Sequence, residues 1–303
     1  MKTFRSITIR LILGLLLGAL LVVGLFALTL SVIPIWGSTN DEVARSLPGD
    51  DLTAHPLLFW TNAITIDASQ DQVWPWIAQI GDTRGGFYSY TFIENQVGAL
   101  TGAEGYDVIY TNANQIHPEW QNPQPGEPII QGSLKINQME PGRYLLADSI
   151  LPSPFMWVWV WYLEPLDGGT GTRLLSRFAI EVPESAEENP VMNFVMSVGG
   201  FVMQQNMMQS IKLRAEGQTE PAWLEPVEIG LWLIALFAGL TAAIMYLARK
   251  IWWQPLIVAV LSVVVIFVLT FVQPPILVRF LLDAGLIAGI VWSAKSRIPT
   301  FFI

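Results

Sequence analysis

The chain has 303 residues, 52% of them apolar, with a net charge of −9, two histidines and no cysteine. The lack of cysteine excludes disulfides, thiolate nucleophiles and thiolate metal centres. The acidic balance argues against a nucleic-acid partner, which needs a basic face to meet phosphate. Apolar residues gather at the two ends of the chain and charged ones between them, so one soluble domain is expected between membrane-embedded flanks.

Leu11 to Ile33 is almost purely apolar and follows Lys2, Arg5 and Arg10. At ~1.5 Å per residue, a helix of that length covers the ~30 Å hydrocarbon core. The run is too long for a cleavable signal, and Val32-Ile33-Pro34-Ile35-Trp36 offers no small-residue cleavage site. Residues 1–36 are therefore predicted to form an uncleaved membrane anchor, with Trp36 at the far interface. Residues 37–55 are polar, with a turn at Pro48-Gly49-Asp50-Asp51, and read as a tether.

Residues 56–217 read as an α+β domain. Ile64 and Ile66 alternate with Thr65, the period of a half-buried strand. Ser69-Gln-Asp-Gln72 is a capping box, and Val73, Trp76, Ile77 and Ile80 follow on one helical face. Pro75 deletes one backbone bond there, and Gly81 is expected to end the helix. In Asp82-Thr-Arg-Gly-Gly86 the paired glycines allow close approach of another backbone or a ligand. A second short helix is expected from Ser89 or Thr91 to Gly98. A long connection then runs from Leu100 to Gln124 around Ile116-His-Pro-Glu-Trp120. Strands follow at Ile129–Ile130, Leu134–Ile136, Tyr144–Leu146, Phe155–Leu163 and Leu174–Val182, the last two joined by a hairpin at Asp167-Gly168-Gly169. Trp157, Trp159 and Trp161 share one face of their strand; Met156, Val158, Val160 and Tyr162 share the other. Both faces are apolar, so neither is freely wet. Asn189-Pro190 opens a long helix that ends at Gly217. It carries Met192, Met196, Met203 and Met207 on one face, suited either to core packing or to a variable apolar guest.

Candidate ligand contacts follow from these patterns. Trp76, Phe87, Tyr88, Tyr90 and Phe92 cluster in sequence beside Gly85-Gly86. Trp157, Trp159 and Trp161 form a second aromatic group, and Met196, Met203 and Met207 a flexible apolar one. Arg84, Arg143 and Arg177 either neutralise a carboxylate or phosphate headgroup or are ordinary paired surface cations. His117 and Glu119 are weak candidates for acid–base work in the long connection. No nucleophile elbow or phosphate loop is present. The ligands for a metal site are too few, and no cofactor is expected.

After a second linker at 218–228, residues 229–303 hold three more apolar spans: Ile229–Ala248, Leu256–Val272 and Ile276–Ala294. With four spans in all, Lys2, Arg5, Arg10, Arg249, Lys250, Lys295 and Arg297 fall on one side. By the positive-inside rule that side is cytoplasmic, which puts both termini inside and the soluble domain outside a plasma membrane. Arg279 and Asp283 lie four residues apart on one helix face. They read as a local ion pair, with Arg279 reaching toward the outer surface.

The stretches Ala63-Ile-Thr-Ile-Asp-Ala68, Val73-Trp-Pro-Trp-Ile77, Gly85-Gly-Phe-Tyr-Ser-Tyr90 with Glu94-Asn95, Ile116-His-Pro-Glu-Trp-Gln121, Glu140-Pro-Gly-Arg143 and Leu163-Glu-Pro-Leu-Asp-Gly-Gly169 carry a family likeness. Over about Asp50 to Gly217 the chain resembles the START-like (SRPBCC) superfamily of polyketide cyclase and lipid-transfer relatives, and looks most like a membrane-anchored bacterial branch. The resemblance implies a helix-grip fold, a curved antiparallel sheet around the long helix with an apolar tunnel between them. It also implies a hydrophobic ligand, lipid-like or polyketide-like. It supplies no universal catalytic residue, and the membrane spans lie outside it. Three functions are open at this stage: a membrane-anchored binder or carrier of a hydrophobic molecule, an enzyme acting on such a molecule, and a structural or regulatory domain with a filled interior. A cavity lined by aromatics and Met favours the first; convergent ionisable groups favour the second.

Overall fold

The computed structural model describes residues 2–101, 111–153, 155–183 and 190–295. In chain order the elements are α1 (Lys2–Val32), α2 (Asn40–Ala44), β1 (Leu58–Ile66), α3 (Gln70–Ala78), α4 (Thr91–Thr101), β2 (Pro128–Ile130), β3 (Leu134–Glu140), β4 (Tyr144–Ser149), β5 (Met156–Leu166), β6 (Gly171–Glu181), α5 (Pro190–Ala215), α6 (Leu224–Ala248), α7 (Trp253–Phe267) and α8 (Ile276–Lys295). They fall into two compact units, Ser31–Glu220 and Met1–Leu30 with Pro221–Ile303.

The first unit is α+β. Its six strands form one antiparallel sheet in the order β1-β6-β5-β4-β3-β2. Every strand from β2 to β6 pairs with its neighbour in sequence, and β6 then returns to β1. The five strands expected after the long connection all form. Local chemistry fixes the helix starts. At α3 the Ser69 backbone N–H donates to Gln72 Oε1 at 3.0 Å, one arm of the expected capping box. Helix α4 runs past Gly98 to Thr101, so that glycine does not terminate it. Asn189, the expected cap of α5, lies outside the described residues.

Register sorts the strand side chains onto two faces. Trp60, Phe178, Trp159 and Ala147 form one row across β1, β6, β5 and β4; Asn62, Ser176, Trp161 and Leu145 form the next. This inner face looks toward α3 and α5. The outer face carries Ala63, Tyr144, Leu146, Val158, Val160, Leu175 and Ala179.

The cover of the outer face corrects one expectation. Residues 37–55 are not a tether. Leu47 and Leu52 pack onto the outer face, and Ser38 Oγ donates to Thr61 O at 2.8 Å. The Ala63 N–H donates to Trp36 O at 3.0 Å. Gly37, at φ +69°, lies so close to the Ala63 carbonyl that a Cβ would collide with it. Helix α2 is capped reciprocally: Glu42 N–H donates to Thr39 Oγ1 (3.2 Å) and Thr39 N–H to Glu42 Oε2 (2.7 Å). Two arginines of β6 then clasp the segment. Arg173 grips both oxygens of Glu42 at 2.7 and 2.9 Å. Arg177 is only 3% exposed and spends all five of its N–H donors here: on Thr61 Oγ1 (2.9 Å), the carbonyls of Glu42 (3.1 Å), Val43 (3.0 Å) and Arg45 (2.8 Å), and Asp50 Oδ2 (2.6 Å).

The Arg173 hydrogen bonds, with help from the Thr39 N–H, hold the Glu42 carboxyl down at about 2, against an ordinary value of 4.5. A group whose folded-state value is depressed stabilises fully above its unfolded value and loses that contribution as pH falls through the folded one. Glu42→Gln is therefore expected to cost about 2–3 kcal/mol at neutral pH. The wild-type advantage should vanish between about pH 4.5 and about pH 2. Urea titrations of the full-length protein across that range check it; equal stability of variant and wild type at neutral pH refutes it.

The second unit contains helices long and apolar enough to cross a membrane. Among the described residues four such spans occur, in α1 continued to Ile35, in α6, in α7 with its π-helical extension, and in α8. Helix α6 begins at Leu224, inside the stretch expected as the second linker. The contacts among α6, α7 and α8 use small residues, as is usual where lipid provides no hydrophobic contrast between helices. Ala235, Ala238 and Ala242 pack with Val258, Val265, Leu269 and Leu286. Ser262 Oγ donates to the Ala235 carbonyl, and a Cβ on Gly289 would stand 2.9 Å from Val258. Tyr246 Oη donates to Arg10 O at 2.7 Å, Arg10 Nη1 to Arg249 O at 2.8 Å, and Arg249 Nη1 to Ala294 O at 3.0 Å. A second correction concerns Arg279. Its ion-pair partner is not Asp283 but Glu228 of α6, at 3.1 Å, and its Nε donates to Pro274 O at 2.6 Å.

Candidate functional site

The inner face of the sheet gathers most of the aromatic candidates. Phe87 lies parallel to Trp159 with ring centroids 6.4 Å apart. Trp159 contacts Trp161 at 4.4 Å and Trp157 at 5.9 Å. Strand alternation puts the three indoles on one face, and the register with β6 sets Phe178 among them, 5.5 Å from Trp157 and 5.8 Å from Trp159. Trp60 stacks on Phe178 at 4.2 Å. Trp60 and Phe178 are not among the aromatic residues expected at the site. Alternation with Asn62 and Ile66 marks the Trp60 face, whereas the place of Phe178 depends on cross-strand register, which no local pattern encodes.

Polar atoms on this wall divide into satisfied and unsatisfied. Trp60 Nε1 donates to Gln204 Oε1 (3.1 Å), Gln204 Nε2 to Asn62 Oδ1 (2.7 Å), and Asn62 Nδ2 to Ile33 O (2.8 Å). This relay fastens α5 to β1 through buried groups that all find partners, as buried polar groups should. Trp159 Nε1 donates to Ser176 Oγ at 2.9 Å. Trp157 Nε1 and Trp161 Nε1 are buried and meet no acceptor among the described residues. The inward positions of β5 from Trp157 to Leu163 and of β6 from Thr172 to Ile180 carry no ionisable side chain.

Trp76 and Tyr88 form a second layer beside the wall. Their rings meet edge to face at 5.8 Å, and Tyr88 Oη donates to Trp76 O at 3.2 Å. Arg214 lies 5.1 Å over the Tyr88 ring. Burial pushes the Tyr88 phenol up from its usual range, so it remains a neutral donor. Tyr90 is buried. Gly85-Gly86 do permit a close approach, but to protein backbone. A Cβ on Gly86, at φ +75°, would stand 2.5 Å from Thr111 O, and one on Gly85 would stand 2.8 Å from Gln79 O.

The methionines separate. Met207 is buried. Met203 is half-buried, with its carbonyl accepting from Ser89 Oγ at 2.8 Å. Met196 is 37% exposed, and Phe92 is 51% exposed; neither belongs to the buried wall. The Met192 side chain lies outside the described residues.

Nor do the three arginines converge. Arg177 sits on the outer face with every donor used, so it is a clasp and not a headgroup ligand. Arg143 pairs with Glu140 Oε2 at 3.1 Å and lies 5.8 Å over the Tyr162 ring. It lines an open cleft of about 690 Å3 with Gln70, Asp71 and Glu164, and Tyr162 shares the outer face with Val158 and Val160. Arg84 lines a different open cleft, of about 350 Å3, with Glu119, Trp120, Asn122 and Glu127. Its Nη2 contacts Glu127 Oε2 at 2.6 Å. Burial lowers the Arg84 value and raises that of the neighbouring Asp82 carboxyl, whose Oδ2 accepts from the Gln131 N–H at 2.7 Å.

His117 and Glu119 do meet, Nδ1 to Oε1 at 3.3 Å, with the His117 ring 4.2 Å from Trp120. Buried Gln79 positions that turn: its Oε1 accepts from the His117 N–H (3.1 Å) and Gln121 Nε2 (3.1 Å). Glu119 is exposed and His117 half-buried, and none of the inner-wall aromatics lines the adjacent cleft. Among the described residues no group of His, Asp and Glu is arranged to hold a metal ion.

No family model matches this chain, and no curated protein does. Solved structures give weak likenesses. The Mll3558 protein from Rhizobium loti is 10% identical with a TM-score of 0.26, over 52% of this chain and 96% of its own. Protein MLL2253 from Mesorhizobium loti is 12% identical with a TM-score of 0.26, over 53% and 99%. A protein from Rhizobium leguminosarum is 11% identical with a TM-score of 0.25, over 53% and 97%. These likenesses are too slight to say what this chain does.

Proposed function

We propose that the sheet unit is a START-like helix-grip domain that binds and carries a hydrophobic ligand, lipid-like or polyketide-like, against its aromatic inner wall. The wall itself carries this reading: Trp157, Trp159, Trp161 and Phe178 share one face, Phe87 packs against it, and two of the indole N–H groups meet no acceptor among the described residues. Leaving a buried donor unmet costs about 1–3 kcal/mol. An apolar guest bearing one carbonyl, ether or hydroxyl oxygen removes that cost, while the rings supply contact area. The element order supports the helix-grip assignment. The absence of ionisable side chains at the inward positions of β5 and β6 favours carriage over catalysis.

The second unit anchors this domain. Arg10 and Arg249 are joined by a hydrogen bond, and Arg249 reaches the end of α8. Basic residues thus collect at one end of the spans, and by the positive-inside rule that end is cytoplasmic. Both termini then lie inside and the ligand domain outside the plasma membrane.

Solvent extraction and mass spectrometry of the full-length protein, purified in detergent and washed extensively, tests the reading. The wild type is expected to retain a hydrophobic species in near-stoichiometric amount, and Trp159→Ala to lose it. A wild type that holds no more of any species than the variant does would sink the proposal.

A further inference from the structure

Asp283 lies on α8 one turn beyond Arg279. It is 2% exposed, and neither carboxylate oxygen has a hydrogen-bond partner among the described residues. The cation nearest in sequence is already engaged, since Arg279 pairs with Glu228 of α6 at 3.1 Å and donates to Pro274 O. Both members of that pair are also buried, 6% and 8% exposed at the side chain. Among the described residues of the helices packed with α8, no other titratable group balances Asp283. Helix α7 contains none; on α6 the remaining ones are Glu225, a turn before Glu228, and Tyr246, at the Arg10 end; on α8 only Lys295, at its last residue, is left.

An unpaired carboxylate inside an apolar helix packing is strongly disfavoured, and a proton is the smallest ligand that removes the charge. We propose that Asp283 is a proton-binding site of the membrane unit. One carboxylate oxygen takes a proton from water and forms an O–H bond, and the Arg279–Glu228 pair is the arrangement that accompanies the protonated acid. When the proton leaves, the carboxylate stands four residues from Arg279 on the same helix face, where such pairs attract. It then competes with Glu228 for the guanidinium. Proton occupancy of Asp283 thereby selects whether Arg279 ties α8 to α6 or pairs within its own helix.

The test uses dicyclohexylcarbodiimide, an apolar reagent that enters bilayers and attacks protonated carboxyl groups. The acid O–H adds across the N=C=N group, and acyl migration leaves a stable N-acylurea. Full-length protein in phosphatidylcholine vesicles is labelled at a series of pH values, and adducts are located by peptide mass spectrometry. Asp283 is expected to be labelled and Glu228, held as a carboxylate by Arg279, to stay unmodified. The Asp283 rate should fall about tenfold per pH unit above its midpoint. Absence of an Asp283 adduct at every pH overturns the site, as does labelling of Glu228 to the same extent. So does protection by sodium ions at constant pH, which would make the ligand a metal cation. Glu228→Gln frees Arg279 for Asp283 and should lower the Asp283 labelling rate several-fold. Unchanged labelling in that variant overturns the exchange of partners. The wild-type selectivity between the two carboxyls decides the proposal even if the variant fails to insert.

Discussion

Arg177→Met is expected to destabilise the sheet unit by about 3–5 kcal/mol, the usual cost of deleting one partner from a buried ionic network. Methionine fills much of the same volume, so the loss comes mainly from groups left without a donor. These are the carbonyls of Glu42, Val43 and Arg45 and Thr61 Oγ1, while Asp50 Oδ2 loses its cation and keeps only the Leu47 N–H. Set against a typical domain stability of about 5–15 kcal/mol, that is a large share. Arg177→Lys keeps the charge but offers three donors in place of a five-donor planar fork, so it should recover only part of the loss. Denaturant titration of the full-length protein, followed by tryptophan fluorescence, measures both variants. Limited proteolysis reads the cause directly, because cleavage within residues 37–55 should accelerate in Arg177→Met before the sheet itself unfolds. A variant with wild-type stability and an uncut segment would show that the clasp is dispensable.

Trp161→Ala should cost about 3–5 kcal/mol, as removal of a large, fully buried ring does. The informative comparison is with phenylalanine. Trp161 Nε1 meets no acceptor among the described residues, so Trp161→Phe sacrifices ring area but no hydrogen bond seen there. Trp159 Nε1 donates to Ser176 Oγ, and Trp159→Phe strands that buried hydroxyl at an added cost of about 1 kcal/mol. The expected order of stability is Trp161→Phe above Trp159→Phe above Trp161→Ala, measured by thermal unfolding. Retention of the extracted hydrophobic species should follow a different order. Trp161→Phe should reduce it, because the N–H proposed to greet the guest is gone. If Trp161→Phe lowers stability as much as Trp159→Phe, the Trp161 N–H has a partner, and the proposed ligand contact loses its basis.

Much of this arrangement is legible in the residues alone, where the causes are local. Alternation from Met156 to Tyr162 separates two apolar faces. Asp167-Gly168-Gly169, with all three residues at positive φ, makes the β5–β6 hairpin, and Ser69 with Gln72 begins α3. The segment 37–55 misleads because its cover of the outer face relies on few apolar side chains, chiefly Leu47 and Leu52, and on backbone carbonyls that accept from Arg177. Carbonyl acceptors leave no signature in composition, so a polar stretch reads as a tether. Arg279 misleads for a related reason. Its neighbour four residues along is visible, but its true partner, Glu228, lies on another helix and is far away in sequence. The aromatic wall is half visible: strand period groups the three tryptophans, but pairing register adds Phe178, and the packing of the segment between α3 and α4 sets Phe87 against Trp159.

The pairing of β6 with β1 has a consequence for how the chain is made. Residues that leave the ribosome early, from Trp36 through β1, find their sheet neighbour only when β6 follows, and Arg177 reaches Asp50 across 127 positions. Contacts of such long separation slow folding, since the intervening loop must close before they form. During synthesis the outer cover therefore waits, exposed, for the last strand. A nascent chain halted after β5 would hold a meander with its apolar outer surface bare, a form suited to chaperone capture or self-association.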